Sequence, residues 1–211
     1  MAEVTAQIVE DLKFASEKLP IIHPNSLYGY ATKGAALGLF ARVQLYNKEY
    51  TGQFGVIELT NQLMGLGYSL HPNYGELFTE VGETSNEVVF AVRFLRGDES
   101  SSGETFSATF LGFPKGDVRP MPNLVNDYHC IDGLPITQSP LYDNTNKGAN
   151  RDPRANATIY FKGDQYLNDP VRIFQGNGPT QFGQRKYIRQ GPDAEGNPVF
   201  GQGSQDFHVI R

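Results

Sequence analysis

The stretch ATKGAALGLFARVQLYNKEYTGQFGVIELTNQLM, residues 31–64, decides the fold, because it reads as two helices and a tight return. In its first half Ala36, Leu37, Phe40, Ala41, Val43, Gln44 and Leu45 surround a helix that is apolar over much of its circumference. Such a helix is packed on more than one side. Gly34 and Gly38 lie four apart, and each costs up to about 1 kcal/mol relative to Ala inside a helix. Their spacing predicts that a neighbouring helix approaches closely there. A second helix is expected from about Gly52 to Met64, with Phe54, Ile57, Leu59 and Leu63 facing inward and the glycines of GLG ending it. The link Asn47–Tyr50 is too short for anything but an antiparallel return. The pair therefore makes one helical-hairpin unit of the tetratricopeptide kind. A lone hairpin leaves apolar faces uncovered, so further helices are expected to cover the faces around Leu37, Phe40 and Leu63. Without them the chain is expected to be poorly soluble or to oligomerise.

Working outward from this stretch, residues 4–19 place Val4, Ile8, Asp11, Leu12, Ala15 and Leu19 at helical spacings, and Pro20 closes an amphipathic helix. IIHPNSLYG, residues 21–29, is turn-rich. Downstream the period changes: NEVVFAVRF, residues 86–94, alternates and is rich in β-branched and aromatic residues, the pattern of a strand. RGDESSSGETFSATFLGFPKGDVRPMP, residues 96–122, is a long Gly/Ser/Pro-rich loop. Loops of that length inside compact domains are usually functional or disordered. MPNLVNDYHCIDGLP holds a short helix or turn, ATIYFKG reads as a strand, and VRIF, KYIR and FHVIR are short extended pieces. The expected fold is mainly α with an irregular α+β part. Residues 1–80 form a tetratricopeptide-like helical scaffold, and residues 81–211 form a loop-rich part with short strands.

Composition narrows the function. There are 18 Lys and Arg against 23 Asp and Glu, a net charge of −5. No basic run is present that could neutralise several phosphates together, which argues against nucleic acid as a partner. The single cysteine, Cys130, permits no intrachain disulfide and no Cys-based zinc site. It is expected to be a small buried apolar residue. Neither a membrane-length apolar stretch nor the apolar core of a signal peptide is found. With 11 Tyr, 14 Phe and no Trp, any aromatic ligand platform must be built from tyrosine and phenylalanine.

Six strings in the same order resemble the SusD/RagB family: ATKGAALGLFARVQLY with GLGYSLHPNYGELFT, SNEVVFAVRF, RPMPNLVNDYHCIDGLPI, SPLYD, NRDPRANATIYF and DFHVIR. The resemblance covers nearly the whole chain. Members of that family begin with a signal peptide, a lipid-modified cysteine and further tetratricopeptide-like helices, and continue past the DFHVIR string into another helix. The resemblance thus implies an interior piece of a longer protein. It further implies a non-catalytic binding protein, tethered by lipid to the outer face of the outer membrane. There it would capture a glycan, or in some members a peptide, for delivery to a SusC-like TonB-dependent transporter.

Candidate ligand residues follow from what a sugar site needs, an aromatic face and a few polar groups at its rim. The long loop supplies Phe106, Phe110, Phe113 and Arg119, and SPLYD supplies Tyr142 and Asp143. The phenylalanines could equally form a satellite core beneath the loop. DNTNKG, residues 143–148, fails as a calcium loop because Thr145 and Lys147 stand at its third and fifth positions. In NRDPR, Arg151 and Arg154 could clamp an anion. The structural reading is preferred: a turn at Asp152-Pro153, with the arginines paired to nearby acids. No hydrolase, zincin, P-loop or dinucleotide motif occurs, and no cofactor or metal is expected. His129 and Cys130 are adjacent, and neighbouring strand residues face opposite ways, which disfavours a thiol nucleophile with its base. Two other readings stand beside glycan capture. One is a glycan-acting hydrolase, since the acids allow many carboxylate pairs. The other is a protein-interaction scaffold with no small ligand.

Overall fold

The computed structural model describes residues 2–24, 27, 29–93, 119–166, 171–186 and 207–211. Among these residues the chain is mainly helical with two small two-stranded sheets. It forms two compact units, the first made of Met1–Pro72, Thr84–Arg93 and Asp206–Arg211, the second of Asn73–Glu83 and Phe94–Gln205.

The first unit is built on three helices, α1 (Ala2–Lys18), α2 (Lys33–Asn47) and α3 (Val56–Met64). Helix α2 packs against both others. Thr32 caps its start by accepting a hydrogen bond from the Ala35 amide, and Lys48 ends it in the left-handed region at φ 61°. The expected hairpin helix starts at Val56, four residues later than expected. Thr51–Gly55 is instead a turn, with Gly52 at φ +91°. That turn is tied down by the Val56 and Ile57 amides, which donate to the carbonyls of Glu49 and Tyr50. The buried Gln44 side chain donates to the Phe54 carbonyl at 2.8 Å.

The core of this unit is Leu12, Leu37, Phe40, Ala41 and Leu59, with Val9, Val43, Phe54, Leu63 and Leu66 packed against it. Two sequence expectations are corrected here. Leu37 and Phe40 are not part of an uncovered face, since α1 and α3 bury them to 1% and 0% exposure. Ile57, expected inward, is 57% exposed. On α1 the inward line runs through Val9, Leu12 and Ser16, while Val4 and Ile8 face out.

The glycines of α2 also serve a different neighbour from the one expected. A Cβ at Gly34 would collide with the hydroxyl end of Tyr68. One at Gly38 would lie 2.5 Å from Cγ2 of Ile210. Gly38 is therefore a notch for a strand residue, not for a helix. Ile210 ends β4 (Phe207–Ile210), which pairs antiparallel with β1 (Phe90–Val92). The expected strand over residues 86–94 is thus three residues long. Arg42 donates to the Val209 carbonyl at 3.0 Å, and Arg211 pairs with Glu87 at 3.0 Å.

The second unit holds α4 (Pro122–Asp127), α5 (Pro153–Thr158), β2 (Ile159–Tyr160) and β3 (Gly183–Gln184). Strands β2 and β3 pair antiparallel. Its core joins Val125, Ile159, Phe161 and Phe182, with Tyr128 against it. The expected strand over ATIYFKG is shortened because Ala155–Thr158 continue α5, started by Pro153 at its first turn. Tyr160 stacks with Phe174 and meets Tyr166 edge-on, and Gly183 leaves room for the Phe174 ring.

Candidate functional site

The second unit carries a cleft of about 530 Å³, within the size range of small-ligand sites. One wall is α4 and the segment after it, contributing Leu124, Asp127, Tyr128, His129, Ile131 and Gly133. The other is the start of α5, contributing Asp152, Pro153 and Arg154. The two walls are stitched by backbone. Cys130 and Arg151 form an antiparallel bridge. The Ile131 amide donates to the Asn150 carbonyl at 2.8 Å, and the Asp152 amide to the His129 carbonyl at 3.0 Å.

Arg151 fixes this arrangement from behind. It is 3% exposed and donates to the carbonyls of Val125 (2.5 Å), Tyr128 (2.8 Å) and Lys147 (3.0 Å). Two of these carbonyls lie at the C-terminal end of α4, where a cation is electrostatically favoured. Its guanidinium also lies 5.8 Å from the Tyr142 ring centroid. The sequence reading gave Arg151 an acidic partner, and the structure gives it backbone carbonyls. Arg154 does pair with an acid. It grips Asp152 through Nε at 3.0 and 3.1 Å and through its terminal nitrogen at 2.5 Å. Asp152 also caps α5 by accepting from the Arg154 amide. The hydrogen bond from Arg154, helped by its charge, holds the Asp152 carboxyl below the ordinary aspartate range and raises the guanidinium's own value.

The apolar lining is accessible. Leu124 is 47% and Ile131 65% exposed, while Tyr128 is half-buried with its hydroxyl donating to Thr158. Around them stand the exposed Asp127 and His129 and the Asp152–Arg154 pair. The cleft offers apolar surface for one face of a ring and polar groups for hydroxyls. Cys130 is 2% exposed and His129 is exposed, and both border the cleft.

Of the residues singled out in the sequence, Phe106, Phe110 and Phe113 lie outside the described residues. Arg119 is half-buried with its guanidinium against Gly178. Tyr142 stands over Arg151, and Asp143 is half-buried. Asp143 accepts from the Thr145 hydroxyl at 2.6 Å and from the amides of Thr145 and Asn146. These bonds, the Thr145 hydroxyl first, lower its carboxyl below the ordinary range. Asp143 thus closes its own turn. None of Arg119, Tyr142 and Asp143 lines the cleft. Sequence reading missed Leu124, Asp127 and Tyr128. The signal available was the NRDPR cluster, whose arginine and aspartate border the cleft. No group of three or more metal-ligating side chains occurs among the described residues, and no helix there is long and apolar enough to cross a membrane.

Among the described residues the chain is thus mainly helical, with two small sheets and an open cleft in its second unit. Residues 86–204, more than half of the chain, match the model of the SusD family, and the chain belongs to it. Among solved structures, a SusD-like protein from Bacteroides fragilis matches at 25% identity with a TM-score of 0.71, over 99% of this chain and 46% of that one. A SusD-like carbohydrate-binding protein from the same species matches at 24% identity and 0.78, over 100% and 44%. A surface glycan-binding protein from Bacteroides thetaiotaomicron, solved with laminarihexaose, matches at 17% and 0.60, over 98% and 46%. The chain therefore spans less than half the length of these relatives. No curated protein gives a match.

Proposed function

We propose that this chain is part of a non-catalytic protein that captures a glycan at the bacterial cell surface, and that the cleft between α4 and α5 contributes to holding it. The observation that carries this reading is an open cleft lined by both apolar and polar side chains, in a chain of the SusD family. Relatives of the same fold are described as a carbohydrate-binding protein, a laminarin-binding protein and a glycan-binding protein holding laminarihexaose. Sugar rings present an apolar face and an edge of hydroxyls, which suits Leu124, Tyr128 and Ile131 beside Asp127, His129 and Arg154. Phe106, Phe110, Phe113, Arg119, Tyr142 and Asp143 remain proposed as additional contacts, within the part after residue 80 to which ligand binding is assigned. The hairpin of α2 and α3 serves as a tetratricopeptide-like scaffold. Tethering to the outer membrane by lipid and delivery to a TonB-dependent transporter complete the proposal, on the family's resemblance.

Calorimetric titration of the chain against laminarin and xyloglucan oligosaccharides tests the cleft. Binding is expected, and Ile131→Asp should weaken it by about tenfold or more, or about 1.4 kcal/mol. Ile131 is a surface residue whose replacement leaves the core intact. Absence of binding by a folded chain to every glycan tried would refute the reading. Release of reducing ends from the same oligosaccharides would instead favour a hydrolase.

A further inference from the structure

We infer that the cleft selects neutral sugar units and rejects acidic ones, an inference that rests on the glycan-binding role proposed above. The lining carries two carboxylates, Asp127 and Asp152, against one guanidinium, Arg154. Recognition of a sugar carboxylate or sulfate calls for a guanidinium edge or an ammonium free to pair with it. The Nε edge of Arg154 is already closed on Asp152 by three hydrogen bonds of 2.5–3.1 Å. Opening it would strip Asp152 of that partner and leave a further carboxylate facing the ligand. Asp127 stands exposed on the rim, and with Arg154 matched to Asp152 the only other basic side chain of the lining is the imidazole of His129. A third carboxylate lies just outside the lining. Asp132 accepts from the Ser139 hydroxyl and the Leu134 amide, and these bonds hold its carboxyl below the ordinary aspartate range. Hydroxyls meet no such obstacle: they donate to the Asp127 and Asp152 carboxylates and carry no charge for those carboxylates to repel.

The test uses matched ligands on the full 211-residue chain. Laminarihexaose and xyloglucan oligosaccharides are titrated before and after oxidation of their primary hydroxyls to carboxylates. Size and backbone are thereby kept and only charge is added. The oxidised forms are expected to bind about tenfold or more weakly, the scale of one like-charge contact a few Å away at a protein surface. The ratio should narrow in Asp127→Asn. Asp127 ends α4, where a negative charge opposes the helix dipole, so this replacement does not endanger the fold. Oxidised ligands binding as tightly as their neutral parents would overturn the charge selection while leaving glycan binding intact. A preference for neutral ligands that Asp127→Asn leaves unchanged would overturn its assignment to this cleft. Failure of both forms to bind a folded chain would overturn the glycan reading itself, and the selection with it.

Discussion

Gly38 shows how much a missing methyl group can decide. Alanine there would gain up to about 1 kcal/mol of helix propensity, yet its Cβ would sit 2.5 Å from Cγ2 of Ile210, a buried residue 7% exposed. Overpacking of this kind costs about 1–3 kcal/mol, so Gly38→Ala is expected to destabilise the chain by about 1–2 kcal/mol in urea unfolding followed by circular dichroism. Ile210→Ala should cost less in the Gly38→Ala background than in the parent, because the shortened side chain clears the notch. Equal costs in the two backgrounds would show that the two residues do not meet. The glycine pair was legible in the sequence as a close approach, but its neighbour was not. Helical spacing tells which residues share a face, and nothing in it says that a strand more than a hundred residues away supplies the plug. Ile57 was misread for a related reason: it sits beside an apolar stripe whose centre, Leu59, takes the core position. Cys130 was read as a small buried apolar residue, since its type alone implied that, and it is one.

At the scale of elements, Arg151 holds the cleft together by acting on backbone. It joins the end of α4 to the segment before α5 through carbonyls of Val125, Tyr128 and Lys147. Arg151→Met leaves those acceptors in a place water reaches poorly. Each buried acceptor left unpaired costs about 1–3 kcal/mol. A loss of about 2–4 kcal/mol is therefore expected in urea unfolding, together with weakened glycan binding. Arg151→Lys should recover little of either, because an ammonium cannot span three carbonyls set by a planar fork. Full recovery by lysine would mean that charge alone matters at this position. The elements themselves were legible where they were long. Helices α2 and α3 stand close to where their periodicity puts them, apart from the glycine turn that delays α3. The strands of the second half are shorter than their sequence pattern, since ATIYFKG has β-type residues but its first two still belong to the helix started by Asp152 and Pro153. The cleft walls are hidden in the sequence because Leu124, Asp127 and Tyr128 carry no motif and are brought to Arg154 by long-range backbone pairing and by the hydrogen bonds of Arg151.

For the whole molecule, the apolar surface left on the helical unit has a consequence in solution. Phe14, Tyr46, Ile57 and Met64 are 65%, 85%, 57% and 65% exposed, and extended exposed apolar surface promotes association. The chain is expected to self-associate in sedimentation velocity as its concentration rises, and Ile57→Glu should reduce this. A single monomeric species at all concentrations would contradict it. The pairing of β1 with β4 bears on another property, the order of events during synthesis. Residues 93–206 separate these strands, so the helices and β1 leave the ribosome long before the segment that fills the Gly38 notch exists. At translation rates of roughly 5–20 residues per second the notch stays open on the order of ten seconds. For that interval the first unit is an unfinished body, with the edge of β1 unpaired until residues 207–210 are made.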